Sequence, residues 1–199
     1  DVEIEMSNIL IIQGHPDTQE NHLCHELISS YINGAEIADH SIKLYNIASI
    51  EFPLLRSKED WEKGKEGTPE NLKEIQEALM ESDHIVIIYP LWLGTMPALL
   101  KGFLEQLLRP GVAITYKKGY PQGLLKNKSA HIIITMGMPG LIYRFFFFSH
   151  SLRNLKRNIL KLVGIKNIKC TIIGSVENTD KIKQSKWFEK MKKHGKNAK

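Results

Sequence analysis

The sequence predicts a single doubly wound α/β domain with a five-stranded parallel sheet between two layers of helices. Two observations carry the prediction. Four short runs are almost continuously aliphatic: "NILIIQG" (8–14), "HIVIIYPL" (84–91), "SAHIIITMGM" (129–138) and "IKCTIIGSV" (168–176). Strands of that kind are covered on both faces, as parallel strands are. A fifth run, "SIKLYNI" (41–47), alternates like an edge strand, and successive strands start roughly forty residues apart, room for a crossover helix and its loops.

The helices follow in order. Segment 21–33 carries Leu23, Leu27, Ile28 and Tyr31 at helical spacing. Thr68-Pro69-Glu70 reads as a helix start: a capping hydroxyl, proline in the first helical position, and an acid at the positive end of the dipole. Leu72, Ile75 and Leu79 then face the sheet. Pro97 opens "PALLKGFLEQLLRP" and Pro110 closes it. "LRNLKRNILKLVG" sets Leu152, Leu155, Ile159 and Leu162 on one stripe, with Gly164 as the stop, and a last helix runs from about Asp180. The result is βαβαβαβαβα, one domain over residues 1–199 with no repeat or linker, and a sheet in the order 2-1-3-4-5. Ligands of such sheets sit beyond the carboxyl ends of the strands at the switch point, here the first, third and fourth.

Composition narrows the function. The chain has 199 residues, 42% hydrophobic and 25% charged, which suits one globular core. Arg144 interrupts the longest apolar run, so no integral membrane segment is expected. The opening "DVEIEM" is acidic and does not read as a signal peptide; Met6 is a candidate start, with residues 1–5 a short extension. Cys24 and Cys170 form no Cys-x-x-Cys pair, so zinc and thioredoxin-like chemistry are not expected, and both read as buried thiols of a cytoplasmic protein. The net charge is +5, an excess assigned to a solvated terminal helix with a frayed basic end, "KIKQSKWFEKMKKHGKNAK", rather than to a nucleic-acid surface.

The three loops at the switch point are the unusual parts of the chain. The first, "GHPDTQENHLCHEL", has His15 and His22 bracketing the turn into a helix whose free N–H groups suit an anion. It is neither a P-loop nor G-x-G-x-x-G, which disfavours a nicotinamide site of the Rossmann type. The next, "YPLWLGTMP", is apolar where loops are normally polar. Trp92, Leu93 and Gly94 suit a planar ring, with N–H groups from Trp92 to Thr95 for its polar edge. The last, "TMGMPGLIYRFFFFSHS", brings glycines, Tyr143, His150 and four consecutive phenylalanines.

Together these loops resemble the flavodoxin-like NAD(P)H:quinone oxidoreductase family, on "GHP" (14–16), "YPLWLGTMPALLKGFLEQ" and "TMGMPGLIY", across roughly Asn8 to Val176. The resemblance implies the flavodoxin-like three-layer sandwich and a flavin, FMN by the short chain, with FAD sharing the same phosphate site. His15, Asn21, His22 and Leu23 would line the phosphate, Pro90, Leu91, Trp92 and Leu93 one side of the ring, and Thr135, Met136, Gly137 and Tyr143 the other. Tyr143 and His150 would donate protons at the ring edge that turns anionic on reduction. It implies a ping-pong cycle, NAD(P)H giving hydride to the flavin N5 and a quinone taking it up. It also implies a homodimer, with some of Phe145 to Phe148 packed inward and some meeting the second chain at the mouth of the slot. Rival readings are an ancillary subunit of a membrane potassium-efflux system, a flavodoxin-like electron carrier, and a response regulator, whose acid cluster is missing here.

Overall fold

The computed structural model describes residues 5–19 and 22–198. Among them five parallel strands form one sheet: β1 (Asn8–Gln13), β2 (Ser41–Asn46), β3 (His84–Pro90), β6 (Ser129–Thr135) and β7 (Asn167–Ile173), in the order β2-β1-β3-β6-β7. The expected order holds for these five. Their numbering differs because an antiparallel hairpin, β4 (Ile114–Lys117) and β5 (Tyr120–Gly123), lies between the third and fourth. It turns at Lys118 and Gly119, both with positive φ, the two-residue geometry that matches strand twist. Every residue of β3 is buried, as a central parallel strand requires.

Two helices cover one face. The helix α1 (Leu23–Ile37) buries Cys24, Leu27, Ile28 and Tyr31, and α7 (Lys181–Lys196) lies along it. The two cross at glycine: a Cβ on Gly34 would overlap the Lys192 carbonyl, and one on Gly195 the Tyr31 carbonyl. The C-terminal helix is therefore docked, not frayed. Asp180 caps it by accepting from the Lys183 N–H at 2.7 Å, and Met191 and His194 are buried.

The other face carries α3 (Glu70–Glu81) and α4 (Ala98–Leu107), with short α2 (Lys58–Glu62), and then α5 (Gly140–Phe145) and α6 (His150–Arg153). Leu72, Ile75 and Leu79 face the core as expected. The Thr68 hydroxyl does not cap α3. It donates to Gln76 Oε1 at 3.1 Å inside a buried polar group, and Pro69 stands at the cap. Beyond α6 the helix widens into a π-helix, Asn154–Leu160. The extra residue makes Leu160 and Val163 the fully buried positions, leaving the expected Ile159 partly buried against the core and Leu162 exposed. Cys170 is half-buried, so of the two free thiols Cys24 alone is fully buried.

Candidate functional site

The carboxyl ends of β1, β3 and β6 lie side by side, with Gln13 beside Ile88 and Pro90 beside Thr135. Gly14 leaves β1 with its N–H on the Ile88 carbonyl at 2.7 Å. A Cβ there would sit 2.7 Å from Leu100 Cδ2 and 2.9 Å from that carbonyl, so the first loop needs glycine to leave the sheet this tightly.

The loop then folds on itself through imidazoles. His15 is buried, and its Nδ1 accepts from the Asp17 N–H at 3.2 Å. His22, at the cap of α1, stacks on His15 with centroids 4.0 Å apart and 19° between planes. Its Nε2 meets Asp17 Oδ2 at 2.9 Å. His25, one turn into α1, stands 6.1 Å from His15 and 6.0 Å from His22. Burial first, then the neighbouring His22 and His25, hold the His15 pKa below its ordinary value. The Gln19 N–H, then His22, hold Asp17 below the usual carboxylate range. Three imidazoles at the start of a helix are a donor set for an anion. Beneath them the Gln13 side chain is 2% exposed and its Nε2 has no hydrogen-bond partner among the described residues.

The second loop is a tight turn. Trp92 and Thr95 exchange N–H···O bonds of 2.9 and 3.0 Å, and Leu93 and Gly94 between them have φ of 46° and 79°. The N–H groups of Trp92 and Thr95 are thus consumed, contrary to expectation. Those of Leu93 and Gly94 have no partner among the described residues. The Trp92 ring is half exposed and meets His15 edge-on at 5.8 Å, so it belongs to the site and not to the core. Pro90 is buried and Leu91 half-buried, its N–H on the Thr135 carbonyl at 2.8 Å.

The third loop departs most from expectation. The Thr135 hydroxyl lies 3.4 Å from Cys24 Sγ, turned toward α1, and the Met136 side chain is in the core. A Cβ on Gly137 would meet the Glu177 carboxylate at 3.2 Å. Tyr143 is 1% exposed and its hydroxyl accepts from the Leu152 N–H at 3.1 Å; burial raises its pKa. His150 is exposed, its ring 6.2 Å from Phe148. All four phenylalanines are 42% to 74% exposed, so none packs inward as expected. The reason is local: the helix ends at Phe145, Phe148 and Ser149 turn left-handed with φ near 50°, and the Ser149 N–H returns to the Tyr143 carbonyl at 3.0 Å. The chain changes conformation within the run, so no helical face has to bury part of it.

The structure therefore brings His15, His22, Leu23 and Trp92 to one place and adds Gln13, Asp17 and His25, which sequence reasoning missed. The spacing of His22 and His25, one helical turn apart, was the available signal. Asn21 lies outside the described residues.

A sequence model of the family described as "Flavodoxin-like fold" matches residues 7–195. An NAD(P)H oxidoreductase of Haemophilus influenzae, named as uncharacterized, is 30% identical over 137 residues, 68% of either chain. An FMN-dependent NADH:quinone oxidoreductase of Pseudomonas fluorescens is 24% identical over 143 residues, 66% of this chain and 71% of that one. The structure of an NAD(P)H:quinone oxidoreductase from Methanothermobacter marburgensis superposes with a TM-score of 0.81 over 98% of this chain and all of its own, at 21% identity, a likeness of fold.

Proposed function

Because the chain belongs to the flavodoxin-like fold family, we propose that it is an FMN-dependent NAD(P)H:quinone oxidoreductase. One observation carries the reading: stacked His15 and His22 at the start of α1 stand beside the half-exposed Trp92. An anion site against a flat apolar wall is what a phosphate-bearing planar cofactor needs. The names of the relatives support FMN, and none reported above supports FAD.

In this reading His15 and His22 hold the phosphate, with the N-terminus of α1 behind them and Leu23 at their side. Leu91, Trp92 and Leu93 wall the ring and exclude water, on the base made by Pro90. The free N–H groups of Leu93 and Gly94 and the unpartnered Gln13 Nε2 are donors for its polar edge. Thr135, Met136 and Gly137 form the other side through backbone, since the first two side chains are engaged elsewhere. When bound, the flavin supplies a two-electron relay from NAD(P)H to a quinone, one substrate leaving before the other enters. His150 is the exposed proton donor of the third loop. Tyr143 acts from beneath it, its hydroxyl fixing α5 to the first turn of α6.

The homodimer and the cytoplasmic setting belong to the same proposal. Two free thiols support a reducing compartment. An apolar groove of about 240 Å³ between α4, the hairpin and the π-helix, lined by Leu104, Ile114, Tyr116 and Leu162, supports a subunit contact on that face. No observation here favours the regulatory-subunit or electron-carrier readings. The visible absorption spectrum tests the proposal. Protein reconstituted with FMN turns yellow and bleaches with NADH or NADPH under anaerobic conditions, and colour returns on adding a quinone. A protein that takes up no flavin overturns it.

A further inference from the structure

Away from the candidate site, at the amino-terminal end of the sheet, the last turns of α7 close over a polar floor. His84 on β3, His131 on β6 and His194 on α7 are 2%, 0% and 9% exposed. His84 Nδ1 meets the Ser129 hydroxyl at 2.7 Å. His194 packs edge-on against His131, and Tyr31 of α1 stands 6.2 Å from the same ring. Yet His84 Nε2, His131 Nδ1, His194 Nε2 and the Tyr31 hydroxyl are buried with no hydrogen-bond partner among the described residues. The charges that bear on the rings are cationic. Lys169 of β7 acts on all three, Lys190 of α7 on His131 and His194, Lys193 on His194, and His40 on His84. Carboxylates give no relief: Asp83, next to His84, accepts from the Asn8 N–H at 2.8 Å, and Glu36 of α1 and Glu189 of α7 are exposed.

The two ends of α7 are held differently. At its start Asp180 caps the helix, and Trp187 and Phe188 pack against the apolar cluster of α1. At its end the hold is buried Met191, the crossing of Gly195 with Gly34, the His194 ring, and a bond of 3.2 Å from His40 Nε2 to the Lys196 carbonyl. His40 Nδ1 accepts from the Ser7 N–H at 3.1 Å, so the proton it donates to Lys196 is the one on Nε2. We propose that the C-terminal turns of α7, from Met191 to Lys196, are a strap that mild acid releases from the sheet while the rest of the fold holds. Lifting the strap puts His194 in water and opens His84 and His131 to it. There an imidazole titrates near 6.5, whereas in place burial, then the neighbouring cations, hold His84 and His194 at about 4 and His131 at about 2. The open form therefore binds protons that the closed form refuses, and falling pH favours opening. The gain between pH 7 and pH 5 is about 20-fold for each ring that takes up a proton. Gly34 lies about three turns along α1 from Cys24, so the release leaves the loops of the candidate site in place and does not depend on flavin.

Hydrogen exchange of the full chain, read by mass spectrometry at pH 7 and pH 5 and corrected for the intrinsic rate, tests this. Peptides over residues 191–196 are expected to lose at least about 20-fold in protection at pH 5. At both pH values they exchange faster than α3, at a rate that low urea does not change, the mark of an opening smaller than the whole fold. His194→Phe keeps an edge-on ring and binds no proton, so it is expected to remove about 20-fold of the acid-driven loss. His84→Asn, which keeps a polar group for the Ser129 hydroxyl, reads the same effect from β3 if the first variant does not fold. Protection of 191–196 that is equal at the two pH values overturns the proposal. So does exchange in step with α3, which assigns the histidines to whole-fold stability alone, or a folded variant with the parent's full pH dependence.

Discussion

His15 lies flat on His22, 4.0 Å between ring centroids, while Asp17 reaches His22 from the same loop. Two stacked imidazoles repel each other when both are charged, which is part of why the His15 pKa is lowered, burial being the larger part. A phosphate bound against His15 reverses that balance and favours its protonated ring, so binding takes up a proton. FMN affinity is therefore expected to rise as pH falls from 8 to 6, and to level off near pH 6, where a phosphate monoester gains its own second proton. Titration by flavin fluorescence at several pH values checks this. The double variant His15→Ala/His22→Ala is expected to bind roughly 100-fold more weakly, the loss of one or two charge-assisted bonds, and to lose the pH dependence.

Leu93 occupies the left-handed region with its side chain fully exposed, so it bears strain without packing in return. Leu93→Gly is expected to stabilise the protein by about 1 kcal/mol, or roughly 2–4 °C in Tm for a chain of this size. Differential scanning calorimetry reads it. A drop in Tm would mean that the leucine is held by contacts the turn geometry does not reveal.

Gly34 and Gly195 let α1 and α7 touch at their backbones. Gly34→Ala, which favours helices elsewhere, here has to push α7 away and is expected to cost more than about 3 kcal/mol. Urea denaturation measures it. If the tail were a frayed appendage, the same substitution would be neutral or stabilising.

Acid sensitivity follows from imidazoles at the other end of the sheet. His131 packs edge-on against His194 at 4.7 Å, and its Nε2 bonds the Thr171 hydroxyl at 2.9 Å. Burial lowers His131 to about 2 and His84 and His194 to about 4, with Lys169 adding to each and Lys190 to the first and last. These groups are neutral when folded, and the unfolded chain binds protons they refuse. Their contribution to stability is complete above the unfolded pKa of about 6.5 and is lost as pH falls toward 4 and below, up to about 1.4 kcal/mol per pH unit for each proton. Urea midpoints at pH 7.5, 6 and 5 are expected to fall in that order.

Much of this was legible in the sequence because parallel strands buried on both faces carry unbroken aliphatic centres, as Ile85–Ile88 of β3 and Ile132–Ile134 of β6 do. The loops at the switch point announced themselves by composition, His15 and Trp92 above all. What was missed depends on small changes of backbone phase. One extra residue in the π-helix moved burial from Leu162 to Val163, and two left-handed residues turned all four phenylalanines outward. Tyr143 looked available by residue type, yet its burial depends on how α5 meets α6, a tertiary fact.

In the proposed function the histidines of the first loop hold the flavin by its phosphate. The most direct measurement compares FMN with riboflavin, which has the same ring and no phosphate, by fluorescence titration of the unmodified protein. FMN is expected to bind roughly 100-fold more tightly, since the charge-assisted bonds to phosphate are lost with riboflavin. Equal affinities, or no binding of either, would contradict it.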